Sequence, residues 1–277
     1  MKCLFIYFLI VFLSCCVSSC NKAQNSNLTD ISSKNLAENS VSNNYPTEID
    51  NKTLSEEANV FNSKKSQLNL DKKLLYFAGV GNDLEIQELL KQGANPNALI
   101  NLKGVGKLTP FIWTLSNSHE SSANIFLLNR VNVNQTADFI SHKYIERNVT
   151  PLMAAARNGL FSIVKILIEK GARVNDGSSM GNSSLMTGNS NIIMYLLEHK
   201  ANPNTKNQDG DTALIYLMKH LKMYSEAEIS QGVEALLKNG ANIEVVNKKG
   251  ETPMNIAVRY DAKKMIELLK NSTLEKF

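Results

Sequence analysis

One phrase recurs along the chain and constrains it more than any other feature. A leucine pair or its variant leads into Gly-Ala-Asn or a close relative: LLKQGANPN (89–97), LLNRVNVN (127–134), LIEKGARVN (167–175), LLEHKANPN (196–204) and LLKNGANIE (236–244). LLKNS (268–272) closes the series. A second phrase alternates with it: Thr109-Pro110-Phe111, Thr150-Pro151-Leu152, Thr212-Ala213-Leu214 and Thr252-Pro253-Met254. Two phrases in alternation describe a unit of turn, helix, helix and loop repeated in tandem. A single unit cannot bury its apolar face, so stacked neighbours must supply the core.

Each phrase has a physical reading. Thr109, Thr150, Thr212 and Thr252 are placed to cap a helix with the side-chain oxygen. Pro110, Pro151 and Pro253 follow at the first helical position, where no amide hydrogen is needed. Ala154, Ala155 and Ala156 let a first helix lie close to its neighbours. The leucine pairs line one stripe of the second helix, and Gly93, Gly171 and Gly240 suit the left-handed residue that ends it.

On these residues the chain resembles the ankyrin repeat, most fully in TPLMAAARNGLFSIVKILIEKGARVN (150–175). NQDGDTAL (207–214) and NKKGETPM (247–254) match the family's turn. The resemblance implies an all-α ankyrin-repeat solenoid of about six units with β-turn fingers over residues 71–277. The array is irregular. Counted at Gly93, Arg130, Gly171, Lys200 and Gly240, the steps are 37, 41, 29 and 40 residues. The first two excesses fall in loops between units, the short step clips a first helix within 178–188, and the last excess is an insertion near 222–231. The family's histidine after Thr-Pro-Leu is replaced by Ile112, Met153, Ile215 and Asn255, so a hydrogen-bond network typical of the family is missing.

The N-terminal part reads differently. All four cysteines, Cys3, Cys15, Cys16 and Cys20, lie in the first twenty residues, so the repeats must hold together without disulfides or thiolate metal sites. Residues 1–19 read as a signal peptide, with Lys2 before an apolar run too short for a membrane span. An uncleaved anchor is the other reading. Val17-Ser18-Ser19-Cys20 resembles the lipobox of bacterial lipoproteins, which implies lipidation of Cys20 and an exported, lipid-anchored protein of the bacterial envelope. Ordinary cleavage before Cys20 is the alternative. Residues 20–70 are expected to be a disordered tether, since Asn and Ser fill 19 of the 50 positions from 21 to 70 and no apolar period persists.

Nothing points to catalysis, a cofactor or a metal. His119, His142, His199 and His220 form no ligand pair, and GVGKLT (104–109) lacks the glycine and Ser/Thr of a phosphate loop. With 30 basic against 26 acidic residues, the chain has no nucleic-acid binder's charge. No small-molecule substrate is expected. The ankyrin resemblance implies a protein partner in a concave groove, as an envelope scaffold or alternatively as a specific inhibitor or immunity protein. The fifteen residues between Asn134 and Thr150 carry Phe139, His142, Lys143, Tyr144 and Arg147, types enriched at binding hot spots. Arg157, Asn158, Lys219, His220, Arg259 and Tyr260 follow the first helices and should line the groove. Their basic character leads to the expectation of an acidic surface on the partner.

Overall fold

The computed structural model describes residues 51–140, 145–222 and 224–274. Helices come in consecutive pairs: α1 (Asn51–Val80) with α2 (Asp83–Lys91), α3 (Pro110–Ser116) with α4 (Glu120–Leu128), and α5 (Pro151–Arg157) with α6 (Phe161–Glu169). Then follow α7 (Ser184–Thr187) with α8 (Ser190–Glu198), α9 (Ala213–Lys219) with α10 (Glu226–Lys238), and α11 (Pro253–Arg259) with α12 (Lys263–Leu274). First helices pack on first helices and second on second, so the chain builds a two-layer stack. The apolar stripes explain it: Ile163, Val164 and Leu167 of α6 and Ile192, Ile193 and Leu196 of α8 are buried. Leu115, Ala156 and Met218 occupy equivalent positions in α3, α5 and α9 and are sealed by the following unit.

The first helices start where threonine caps them. Thr109 Oγ1 accepts from the Ile112 amide and Thr150 Oγ1 from Met153, both at 3.2 Å. Thr252 does the same for Asn255, whose own Oδ1 accepts from the Thr252 amide at 2.9 Å. Asn255, standing where the family has histidine, thus completes a capping box. Thr212 departs from the expectation: it makes no capping bond, and its hydroxyl is buried without a partner. Proline follows the other three threonines, whereas Ala213 leaves the first helical φ of α9 unconstrained.

A ladder of asparagines ties the units together. Asn97 donates from Nδ2 to the Arg130 carbonyl at 3.3 Å and accepts the Asn132 amide at 2.7 Å. Asn134 bonds the Gly171 carbonyl and the Arg173 amide in the same way, Asn175 those of Lys200 and Asn202, and Asn204 those of Gly240 and Asn242. The accepting carbonyl always belongs to the left-handed residue ending a second helix. Gly171 and Gly240 take φ of +84° and +79°, while Arg130 and Lys200 accept 55° and 68° despite their side chains. Among the described residues α1 precedes the first rung, and it divides the work between two side chains. Gln67 Nε2 donates to the Gly93 carbonyl at 3.0 Å, and Asp71 Oδ1 accepts the Asn95 amide at 2.7 Å.

Three expectations need correction. Helical structure extends upstream of residue 71, because residues 51–70 belong to α1. The apolar period could not reveal this, since residues 63–69 are exposed and the helix meets the first finger through Gln67, a polar contact. Residues 1–50, including the expected signal and Cys20, lie outside the described residues. The fold is helical with short strands rather than purely α. The two over-long loops fold back into β1 (Ile100–Leu102), β2 (Gly106–Leu108), β3 (Ala137–Ile140) and β4 (Ile145–Val149), an antiparallel sheet in the order β1-β2-β3-β4. Pairing satisfies backbone groups that an irregular loop would leave open. Gly106 makes it possible: its φ is +126°, and a Cβ there would lie 1.9 Å from the Asp138 carbonyl oxygen. Finally, the excess near 222–231 is taken up partly by a 3-10 turn at His220–Lys222 and partly by α10, which runs 13 residues where α8 runs 9.

Candidate interaction surface

The last turns of α5, α9 and α11 carry Arg157, Lys219 and Arg259. Each reaches back to a carboxylate on the finger preceding its own helix. Glu146 on β4 is buried and takes Arg157 Nη2 at 3.0 Å, Ser178 Oγ at 2.9 Å and Asn182 Nδ2 at 3.2 Å. Asp211 takes Lys219 Nζ at 2.6 Å and Asn247 Nδ2 at 2.7 Å. Glu251 takes Arg259 Nη1 at 2.6 Å and Asn247 Nδ2 at 2.9 Å, with Lys219 Nζ 3.5 Å away. Asn207 joins these groups by donating to Asn182 Oδ1 and accepting from the Asp211 amide, so the polar frame runs unbroken from Glu146 to Glu251.

The frame sets the acidity of its carboxylates. Burial pushes Glu146 up, but the Arg157 charge and the hydrogen bonds from Asn182, Ser178 and Arg157 outweigh it and hold the group below the usual range. The bond from Asn247, then that from Arg259, carry Glu251 down to about 2; burial opposes, and the charges of Lys219 and Arg259 assist. Three of the cations expected to meet an acidic partner are therefore paired within the chain.

An aromatic set runs on from α9, which also carries Lys219. Tyr216, His220 and Tyr224 follow one another with ring centroids 4.9 and 6.0 Å apart. His220 Nδ1 sits 2.8 Å from the Tyr216 carbonyl oxygen, the arrangement of an Nδ1–H donor. Tyr224 and Tyr260 are exposed. Asn158, by contrast, turns its amide onto the Ala154 carbonyl at 2.9 Å and serves its own helix end.

The finger tips are stitched to one another. The Ser179 amide donates to the Arg147 carbonyl at 2.7 Å, and Ser179 Oγ accepts the Arg147 amide at 2.8 Å. The Gln208 amide donates to the Met180 carbonyl at 2.8 Å and the Lys248 amide to the Asp209 carbonyl at 2.9 Å. Of the residues expected on the long loop, Phe139 is half-buried against the core and pairs with Gly106 across the sheet, while Arg147 is exposed on β4. His142, Lys143 and Tyr144 lie outside the described residues. Sequence reasoning missed the carboxylates of the frame. A clue was present: Asp211 and Glu251 directly precede Thr212 and Thr252 and stand eight residues before the cation they bind.

Among the described residues no cluster of metal-ligating side chains forms, and no helix is long and apolar enough to cross a membrane. Stacked helix pairs with tied fingers define a solenoid repeat protein. The chain belongs to the ankyrin-repeat family: the family model described as ankyrin repeats (3 copies) matches residues 74–178 and 183–276. A putative ankyrin repeat protein of Fowlpox virus is 31% identical over 146 residues, which cover 50% of this chain and 41% of the viral protein. A probable serine/threonine-protein kinase of Dictyostelium discoideum is 30% identical over 125 residues, 42% of this chain and 14% of the kinase. The matches thus span less than half of either relative. The crystal structure of an ankyrin repeat domain from Acinetobacter baumannii AYE superimposes with a TM-score of 0.59 at 20% identity, over 72% of this chain and 97% of that one. It shares the fold.

Proposed function

We propose that this chain is a non-catalytic protein-binding module of about six ankyrin units, exported and held to a bacterial envelope membrane by lipid on Cys20. The observation that carries the binding reading is the exposure of Tyr224 and Tyr260, each following a first helix whose last turn carries a salt-bridged cation. Exposed tyrosines on a preorganised scaffold offer large contact area at low entropic cost. A scaffold in the envelope is the preferred role, and inhibition of a toxin or enzyme is the alternative. The lipid anchor rests on Val17-Ser18-Ser19-Cys20 following the apolar run.

Crosslinking in intact cells followed by affinity capture tests the binding role. Capture should weaken in a Tyr224→Ala, Tyr260→Ala chain whose melting curve is unchanged; undiminished capture removes this surface as the interface. Labelled fatty acid should enter the wild type and not Cys20→Ala. Unlabelled wild-type protein recovered in soluble form rules out the anchor.

A further inference from the structure

The first helix differs from its counterparts in what it leaves open. α1 runs 30 residues where α3, α5, α9 and α11 each run 7. Leu74 and Ala78 are buried on the side that packs against α2 and α3. A second stripe steps along α1 by four residues and is exposed: Leu68 at 47%, Lys72, Tyr76 at 39% and Val80 at 38%. Residues four apart share a helix face. Lys65 and Lys73 flank the stripe, each three residues before one of its apolar members, and Lys64 adjoins them. All four lysines are exposed, and among the described residues none of them pairs with a carboxylate. Asp71, the one acid between residues 63 and 80, is buried and accepts from Gln67 and the Asn95 amide. α6 and α8 carry one apolar stripe and bury it, whereas α1 carries two and buries one.

We infer that the exposed stripe of α1 is a lipid-facing surface, through which the chain lies against an anionic membrane. The inference goes beyond the Cys20 anchor and stands whether or not that cysteine carries lipid. The side chains match the two layers of such a surface. Leu68 and Val80 enter the acyl boundary, and the Tyr76 phenol takes the headgroup level. Lys65, Lys72 and Lys73 lay their methylene stems along the apolar part and hold their ammonium groups at the phosphates. Charge favours lipid over a second copy, because an isologous contact through this stripe would set the same lysines against each other. Shape favours lipid over a folded acidic protein. Residues 63–69 are all exposed and join no apolar cluster, so Leu68 stands on a bare helix face with no side chains built around it. A flat, deformable surface meets such a face without a matching cleft.

The test uses residues 21–277, which hold every described element, so that neither signal nor lipid contributes. Vesicles of phosphatidylglycerol and phosphatidylcholine in equal parts, and vesicles of phosphatidylcholine alone, serve as probes by sedimentation. The protein should bind the anionic vesicles, more weakly as salt rises, and bind the neutral ones far less. Lys65→Gln, Lys72→Gln, Lys73→Gln should bind anionic vesicles about tenfold less tightly. Leu68→Ser, Tyr76→Ser should also lose binding with its charge intact. Because Tyr76 could matter to the stack, Leu68→Glu alone, on the exposed turns, is the second variant and should lose binding with an unchanged melt. A control with the same charge change elsewhere, Lys170→Gln, Lys200→Gln, Lys238→Gln, should bind as the parent does. Equal loss in both lysine triples, or equal binding to the two kinds of vesicle, would overturn the lipid face. Self-association abolished by Leu68→Glu, without vesicle binding, would overturn it in favour of a second copy. Stripe-dependent binding of poly-L-glutamate tighter than that of vesicles would overturn it in favour of an acidic protein. Fatty-acid labelling at Cys20 with no vesicle binding by residues 21–277 would keep the anchor and remove this face.

Discussion

The two ends of the stack are finished in different ways. At the start, α1 supplies Gln67 and Asp71 to make both bonds that a finger asparagine makes elsewhere, so the first rung is complete. At the close, Glu244 stands where Asn97, Asn134, Asn175 and Asn204 stand in earlier units. A carboxylate can accept an amide but has no hydrogen to give to a carbonyl. Val258 shows the same asymmetry in packing: it is 59% exposed, while its counterparts Leu115, Ala156 and Met218 are at most 1% exposed. The unit that begins the stack is joined by polar contacts, and the one that ends it leaves an apolar seam uncovered. Position in the array, more than residue type, decides what a side chain contributes.

The largest test of this contrast compares one seam position at two places. Leu115→Ala should cost about 2–5 kcal/mol by chemical denaturation, because it leaves a cavity between units. Val258→Ala, already open to water, should stay within about 0.5 kcal/mol. Equal losses would mean that the last seam is covered in solution. Next in size, Asp71→Ala orphans the Asn95 amide and should cost about 1–3 kcal/mol. Hydrogen exchange should locate the loss around Gly93 to Asn95 and leave amides of α11 and α12 protected as before.

A smaller effect is expected from the ladder itself. Asn204→Ala loses two bonds, each contributing about 1 kcal/mol. The smallest effect is set by pH. Glu251 has a folded pKa of about 2 against an ordinary value of 4.5, so the stability it lends is complete above 4.5 and is lost as pH falls toward 2. Thermal melts across that window should be steeper in the parent than in Glu251→Gln. Parallel curves would show that Asn247 and Arg259 do not hold this carboxylate in solution.

Much of the stack could be read from the sequence because its determinants are local. A threonine three residues before the amide it caps, and a glycine closing a second helix, leave marks within one unit. Thr109, Thr150 and Thr252 behaved as their neighbours required. What escaped reading depends on partners tens of residues away. Gln67 and Gly93 are 26 apart, and the strands β2 and β3 meet only when two over-long fingers lie side by side. The carboxylates that hold Arg157, Lys219 and Arg259 lie nearer, eight to eleven residues before them on the finger that leads into each first helix. Local marks fix where a side chain stands, and its availability is decided by the neighbouring units.

The tied finger tips also give the molecule a mechanical bias. Along that edge, spreading adjacent units would have to shear the bonds from Ser179 to Arg147, Gln208 to Met180 and Lys248 to Asp209. Along the second helices, apolar side chains such as Ile163 and Ile192 are joined by fewer directed bonds, among them those from Ser121 and Ser122 to Asp83 and from the Lys264 amide to Glu226. Neighbouring finger tips should therefore keep a fixed spacing.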